Sequence, residues 1–213
     1  MIFTKQFASG CFFLCLVSQG VTGSGEPIIG SEYLPLEEGN VWTYQDTGPL
    51  GTSTYTETVL PGTEMVNGVE TKIVEVSDEG YSYVTSDANG VRVHGMLLPP
   101  EDFVYFDPPL VLLKGKMSPQ DMFAGAGKVV FVLGSLGTAS LDYTTLVTLE
   151  DKEVITVPAG TYETIKTYSE LRIFGSIAGE VFDETLVGPD WFARYVGNVK
   201  GLSTDSDGTS ESV

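Results

Sequence analysis

Cysteine, histidine and cationic side chains are the scarce residues of this 213-residue chain. Its two cysteines, Cys11 and Cys15, both lie near the start. His94 is the single histidine, and 11 Lys and Arg stand against 29 Asp and Glu, for a net charge of −18. Each shortage excludes a chemistry. A lone histidine cannot build the usual multi-histidine zinc site, and cysteines confined to a leader leave the body of the chain without disulfides or thiolate ligands. A surface this acidic repels phosphate backbones and anionic headgroups, so neither nucleic acid nor a lipid surface is an expected partner. No apolar run reaches the roughly 20 residues that a membrane-spanning helix requires. Walker A loops, dinucleotide fingerprints and G-x-S-x-G elbows are missing as well; "GSLG" and "GSIAG" have the wrong spacing for the last.

What is present begins with a leader. Lys5 supplies a positive n-region, "ASGCFFLCLV" (8–17) a short apolar core, and Val21 and Gly23 the small residues of a cleavage site. Residues 1–23 therefore read as a secretory signal peptide. Cys11 is not expected to carry a lipid, because Ala8 stands where that signal has a large aliphatic and the apolar run follows the cysteine. The expected location is secreted or periplasmic. Residues 24–202 read as one antiparallel β-domain, large enough to bury a core without disulfides. The polar acidic tail 203–213 reads as disordered.

Alternation dominates the middle of the chain. In "LDYTTLVTLE", Leu141, Tyr143, Val147 and Leu149 share one face, opposite Asp142, Thr144, Thr148 and Glu150. Turn signals separate such runs: Asn67-Gly68, the strongest short hairpin signal, "SDANGV" (86–91), "LEDKEV" (149–154) and Pro158 with Gly160. Short connections imply antiparallel neighbours. One stretch departs from the pattern. Residues 97–127 contain two Pro-Pro pairs, and Ser118, Pro119 and Asp121 resemble a helix cap, so a long loop with one short helix is expected there.

Candidate chemistry is sparse. His94 shares a face with Arg92, opposite Val91 and Val93, and reads as solvated. Asp102, Asp107 and Asp121 gather in the long loop and could serve a carboxylate-dependent glycan hydrolase, which needs two acids about 5–10 Å apart; among 29 acids they read as solvated. "DSDG" (205–208) opens like a calcium loop but lacks the later glutamate. Trp42 and Trp191 read as core residues, Trp42 together with Tyr44 on one strand face. No catalytic, cofactor-binding or metal-ligating residue is assigned, and no cofactor is expected.

Four motifs recur in order: "YLPLEEGNVWTY" (33–44), "DPPLVLLKGKMSP" (107–119), "VITVPAGTYETIKTY" (154–168) and "WFARYVGNVKGL" (191–202). Their order and spacing resemble a family of secreted bacterial proteins of unknown function, across nearly the whole chain after the leader. In the last motif Arg194-Tyr195 stands where the family carries Pro-Gly, and Asn198 where it carries an aliphatic. The resemblance implies a strongly curved meander sheet or half-open β-barrel and brings no activity with it. The functional expectation is an exported, non-enzymatic β-protein that binds a small apolar or amphipathic ligand, or an envelope partner, on its curved sheet. The alternatives are an envelope assembly module with a filled core and the hydrolase.

Overall fold

The structure, a computed structural model, describes residues 26–49, 51–77, 79–99, 102–132 and 137–213. The expected leader lies outside them. The described chain is an antiparallel, all-β barrel, closed where the half-open alternative would have left a gap. Its strands are β1 (Val41–Gly48), β2 (Gly51–Val66), β3 (Val69–Val76), β4 (Gly80–Asp87), β5 (Gly90–Leu98), β6 (Asp102–Lys114), β7 (Met122–Val132), β8 (Thr138–Val157), β9 (Gly160–Ile177), β10 (Glu180–Ala193), β11 (Gly197–Asp205) and β12 (Gly208–Ser212). Each pairs with its sequence neighbours, and β12 returns to pair with β1.

The alternation read from the sequence becomes the inside and outside of this barrel. Leu141, Tyr143, Val147 and Leu149 of β8 are buried, whereas Leu146 is left exposed. One inner cluster gathers Val59, Val74, Val84, Val91, Leu113, Leu149, Ile165 and Phe192. A second gathers Val104, Phe106, Val129, Phe131, Tyr143, Leu171 and Leu186. The N-terminal segment closes one end of the first. Ile28 bridges to Met117, a 3-10 turn spans Gly30–Glu32, and Tyr33, Leu34 and Leu36 pack on the cluster. The segment then turns through Glu37 to Asn40, where Gly39 takes φ +88 and Asn40 N–H bonds to Glu37 O. The outer face carries ion pairs such as Lys128–Asp142, Arg172–Asp183 and Lys200–Glu211.

Four local expectations are corrected. The short helix near 118–125 is a tight turn followed by β7. Asp121 does cap Ser118 N–H at 2.8 Å, but Met122 onward pairs with β8 from Thr148, and a full ladder outweighs one local cap. The Pro-rich stretch is strand β6, whose ladder with β5 breaks between Val93–Leu110 and Gly95–Tyr105; prolines lack the N–H a regular ladder needs and collect at such breaks. "LEDKEV" does not turn the chain. It is a bulge between Leu149 and Lys152 inside the continuous β8, which adds local twist. Finally, the tail expected to be disordered completes β11 and forms β12. Ser212 pairs with Asp46 and Glu211 with Thr47, and Val213 exchanges backbone hydrogen bonds with Gln45. Polar residues form strands where both ladder partners are supplied.

Candidate functional site

The interior is only partly filled by the two clusters. Between them and the β1–β2 and β10–β12 walls lies a cavity of about 360 Å³, at the lower end of the size range for small-ligand sites. Its lining is divided. Leu110 and Leu112 on β6, Phe106, Met96, Leu186 and Phe192 form the apolar part, and Tyr44, Tyr55, Glu57, Asp190, Asn198 and Ser212 the polar part.

Register places the polar wall. Tyr44 of β1 stands directly opposite Tyr55 of β2, and Trp42 opposite Glu57, so all four side chains share one face. The two tyrosine rings stack at 5.1 Å. Asp190 of β10 is registered against Gly201 of β11, whose missing side chain leaves its carboxyl room. Three hydrogen bonds tie this wall together. Asn198 Nδ2 donates to Asp190 Oδ1 at 2.9 Å, Tyr44 Oη donates to the Asn198 carbonyl at 2.9 Å, and Ser212 Oγ donates to Asp46 Oδ1 at 3.0 Å.

Electrostatically the wall is one-sided. Among the described residues, the lining holds three carboxyls, Glu57, Glu79 and Asp190, and no cationic side chain. Cations of the barrel form ion pairs outside this lining: Lys72 with Glu38, Lys166 with Glu150, Arg194 with Glu32. Burial, and secondarily Glu79, pushes Glu57 up to about 7. Burial likewise pushes Asp190 up to about 7, opposed by the Asn198 hydrogen bond and reinforced by Glu57. Burial also raises the Tyr44 and Tyr55 hydroxyls, keeping both neutral. Among the described residues, no donor reaches the Glu57 carboxyl, which faces the cavity. Carboxyls perturbed by burial and by one another inside a cleft are a functional-site signature.

The residues singled out from the sequence lie away from this wall. His94 is buried instead of solvated, at 3% exposure. It sits where the β5–β6 and β4–β5 ladders are both irregular, which defeats simple alternation, and its Nε2 lies 3.0 Å from Thr85 Oγ1. Burial, and then Arg92, lowers its pKa, so it is neutral near pH 7. Asp102 opens β6 opposite Leu98, Asp107 is registered against Lys128, and Asp121 caps its own turn. The structure therefore gives these three acids separate local roles. Asp205 of "DSDG" accepts N–H groups from Asp207 and Gly208 in the β11–β12 turn. Both tryptophans pack. Trp42 joins the first cluster and donates its indole N–H to the Val196 carbonyl. Trp191 lies under the ammonium groups of Lys166 and Lys200, each 5.4 Å from its ring, and donates to Glu153.

Sequence reading passed over Glu57 and Asp190. The usable signal was parity: Tyr55, Glu57 and Val59 alternate with threonines in "TYTETVL", placing a carboxylate on an aromatic and apolar face.

No family model matches the chain, and no curated protein matches it. Two solved structures align with it. One is a candidate exported protein with a YmcC-like fold from Bacteroides fragilis NCTC 9343, 12% identical over 85% of this chain and 96% of that one, with a TM-score of 0.38. The other is a candidate lipoprotein from Parabacteroides distasonis ATCC 8503, 14% identical over 85% and 95%, with a TM-score of 0.37.

Proposed function

We propose that this protein is an exported, non-enzymatic β-barrel that holds a small amphipathic molecule in its interior. The observation that carries this reading is the cavity's mixed lining, which combines apolar side chains with a hydrogen-bonding, carboxyl-bearing wall. Burying an apolar body contributes about 25 cal/mol per Å², and a few polar groups then fix its orientation. The leader read over residues 1–23 supports export. Glycan hydrolysis is disfavoured by the same lining, because a sugar ring would meet Leu110, Leu112 and Met96 where its hydroxyls need partners. An assembly module with a fully packed interior is disfavoured by the cavity itself.

The test is native mass spectrometry of the protein purified from its own host, followed by displacement of a fluorescent apolar dye. A co-purifying small molecule that competes with the dye supports the reading. Failure of the dye to enter, together with an empty native spectrum, overturns it.

A further inference from the structure

The polar wall specifies a charge as well as a polarity. We propose that the ligand's head group is a protonated amine, carried on a compact apolar body and seated between Glu57 and Asp190. This inference rests on reading the cavity as a ligand chamber and adds the chemical class of its occupant.

The wall carries an imbalance of charge. Two carboxyls of the polar wall, Glu57 on β2 and Asp190 on β10, line one cavity, where water screens like charges poorly. Elsewhere the barrel resolves its acids locally: Asp183 receives two hydrogen bonds from Arg172, and Glu32 one from Arg194 and one from Tyr195. Asp190 has a neutral donor, Asn198, which satisfies one oxygen without cancelling charge. Glu57 has none among the described residues and is aimed into the cavity. What this wall is built to receive is a hydrogen-bond donor bearing positive charge.

A metal ion is the weaker candidate. Among the described residues, no three His, Cys, Asp or Glu side chains converge closely enough to hold one. An ammonium needs less: two or three acceptors within hydrogen-bond reach, and aromatic faces nearby. Tyr44 and Tyr55 present stacked rings on the same wall, and such faces attract cations. Leu110, Leu112 and Phe106 of β6 give a hydrocarbon body an apolar surface in the same cavity. An anionic amphiphile such as a fatty acid would set its carboxylate against Glu57 and Asp190.

The titratable groups facing Glu57 are Tyr44 on β1, Tyr55 on β2, Glu79 in the β3–β4 connection and Asp190 on β10, with Asp46 of β1 held by Ser212. The tyrosines stay neutral across the accessible range, so charge at the wall is set by the carboxyls. With Glu57 and Asp190 titrating near pH 7, amine binding strengthens as pH rises from 5.5 to 8, while the amine itself stays protonated.

Isothermal titration of the purified protein with n-octylamine, 1-octanol and octanoate at pH 5.5 and pH 8 tests this. At pH 8 the amine is expected to bind at least tenfold more tightly than the alcohol, and octanoate most weakly. At pH 5.5 the amine's advantage should shrink several-fold. Glu57→Gln, and separately Asp190→Asn, should reduce amine affinity several-fold and flatten its pH dependence, with an unchanged circular dichroism spectrum showing that each variant is folded. Octanol or octanoate binding as tightly as octylamine at pH 8, or an amine preference unaffected by pH, overturns the amine assignment and leaves the chamber standing. Binding of none of the three overturns the chamber reading as well.

Discussion

Removing the charge conflict at the cavity wall should change how stability depends on pH. Glu57 and Asp190 are both pushed up to about 7 in the folded protein, chiefly by burial, whereas in the unfolded chain they titrate at about 4. Between those values the folded state keeps protons that the unfolded chain has released. Stability from this pair is therefore fully present below about pH 4 and lost as pH rises through 7. One pKa unit corresponds to about 1.4 kcal/mol, so each shift alone would correspond to roughly 3–4 kcal/mol. Both groups line a cavity open to solvent, which weakens the burial behind the shifts, so the pair is expected to contribute about 3 kcal/mol in all. The double variant Glu57→Gln, Asp190→Asn removes both titrations and nearly preserves shape. Urea unfolding followed by tryptophan fluorescence, from pH 4.5 to 8, gives the difference curve between wild type and variant. His94 contributes with the opposite sign, because its lowered pKa costs stability as pH falls, but that contribution is common to both proteins and cancels. The variant should gain on the wild type steadily as pH rises. A flat difference curve, or one that falls, would refute the claim that burial raises these two carboxyls.

Other perturbations probe the frame around the cavity. Trp42→Ala removes a packed indole and its bond to the Val196 carbonyl, and should cost about 3 kcal/mol in urea unfolding while leaving dye binding of the remaining folded protein unchanged. Gly197 takes φ +117, and a Cβ there would lie 2.7 Å from Trp42 Nε1; Gly197→Ala should destabilise by about 2 kcal/mol, measured the same way. Leu112→Trp should fill the apolar side of the cavity and abolish octylamine and dye binding alike, with the native circular dichroism spectrum retained.

The sequence carried the barrel's inner face in plain view but concealed its closure. Parity alone assigns Leu141, Tyr143, Val147 and Leu149 to the interior, and Asn67-Gly68 joins β2 to β3 with φ +49 and +80. Both are local signals, satisfied by residues close in the chain. His94 was misread because alternation assumes an unbroken ladder, and both ladders at β5 are irregular there. Ser118–Asp121 carried a true capping bond whose meaning depended on β8, far along the chain. The carboxyl wall was the least visible part. Glu57 and Asp190 line one cavity only because the barrel is closed, and nothing within a few residues of either announces the other.

That closure has a consequence for how the molecule assembles. Every ladder but one joins consecutive strands, so most of the sheet can grow as a string of hairpins with short loops to close. The remaining ladder, β1 with β12, waits for the far end of the chain. Until it forms, β1 and β12 are open edges, the exposure that invites pairing with other chains. The cavity's polar wall straddles this seam: Tyr44, Tyr55 and Glu57 come from one side of it, and Ser212, Asn198 and Asp190 from the other. A molecule bound there touches both ends of the sheet at once and so acts as a staple, holding the barrel shut by mass action.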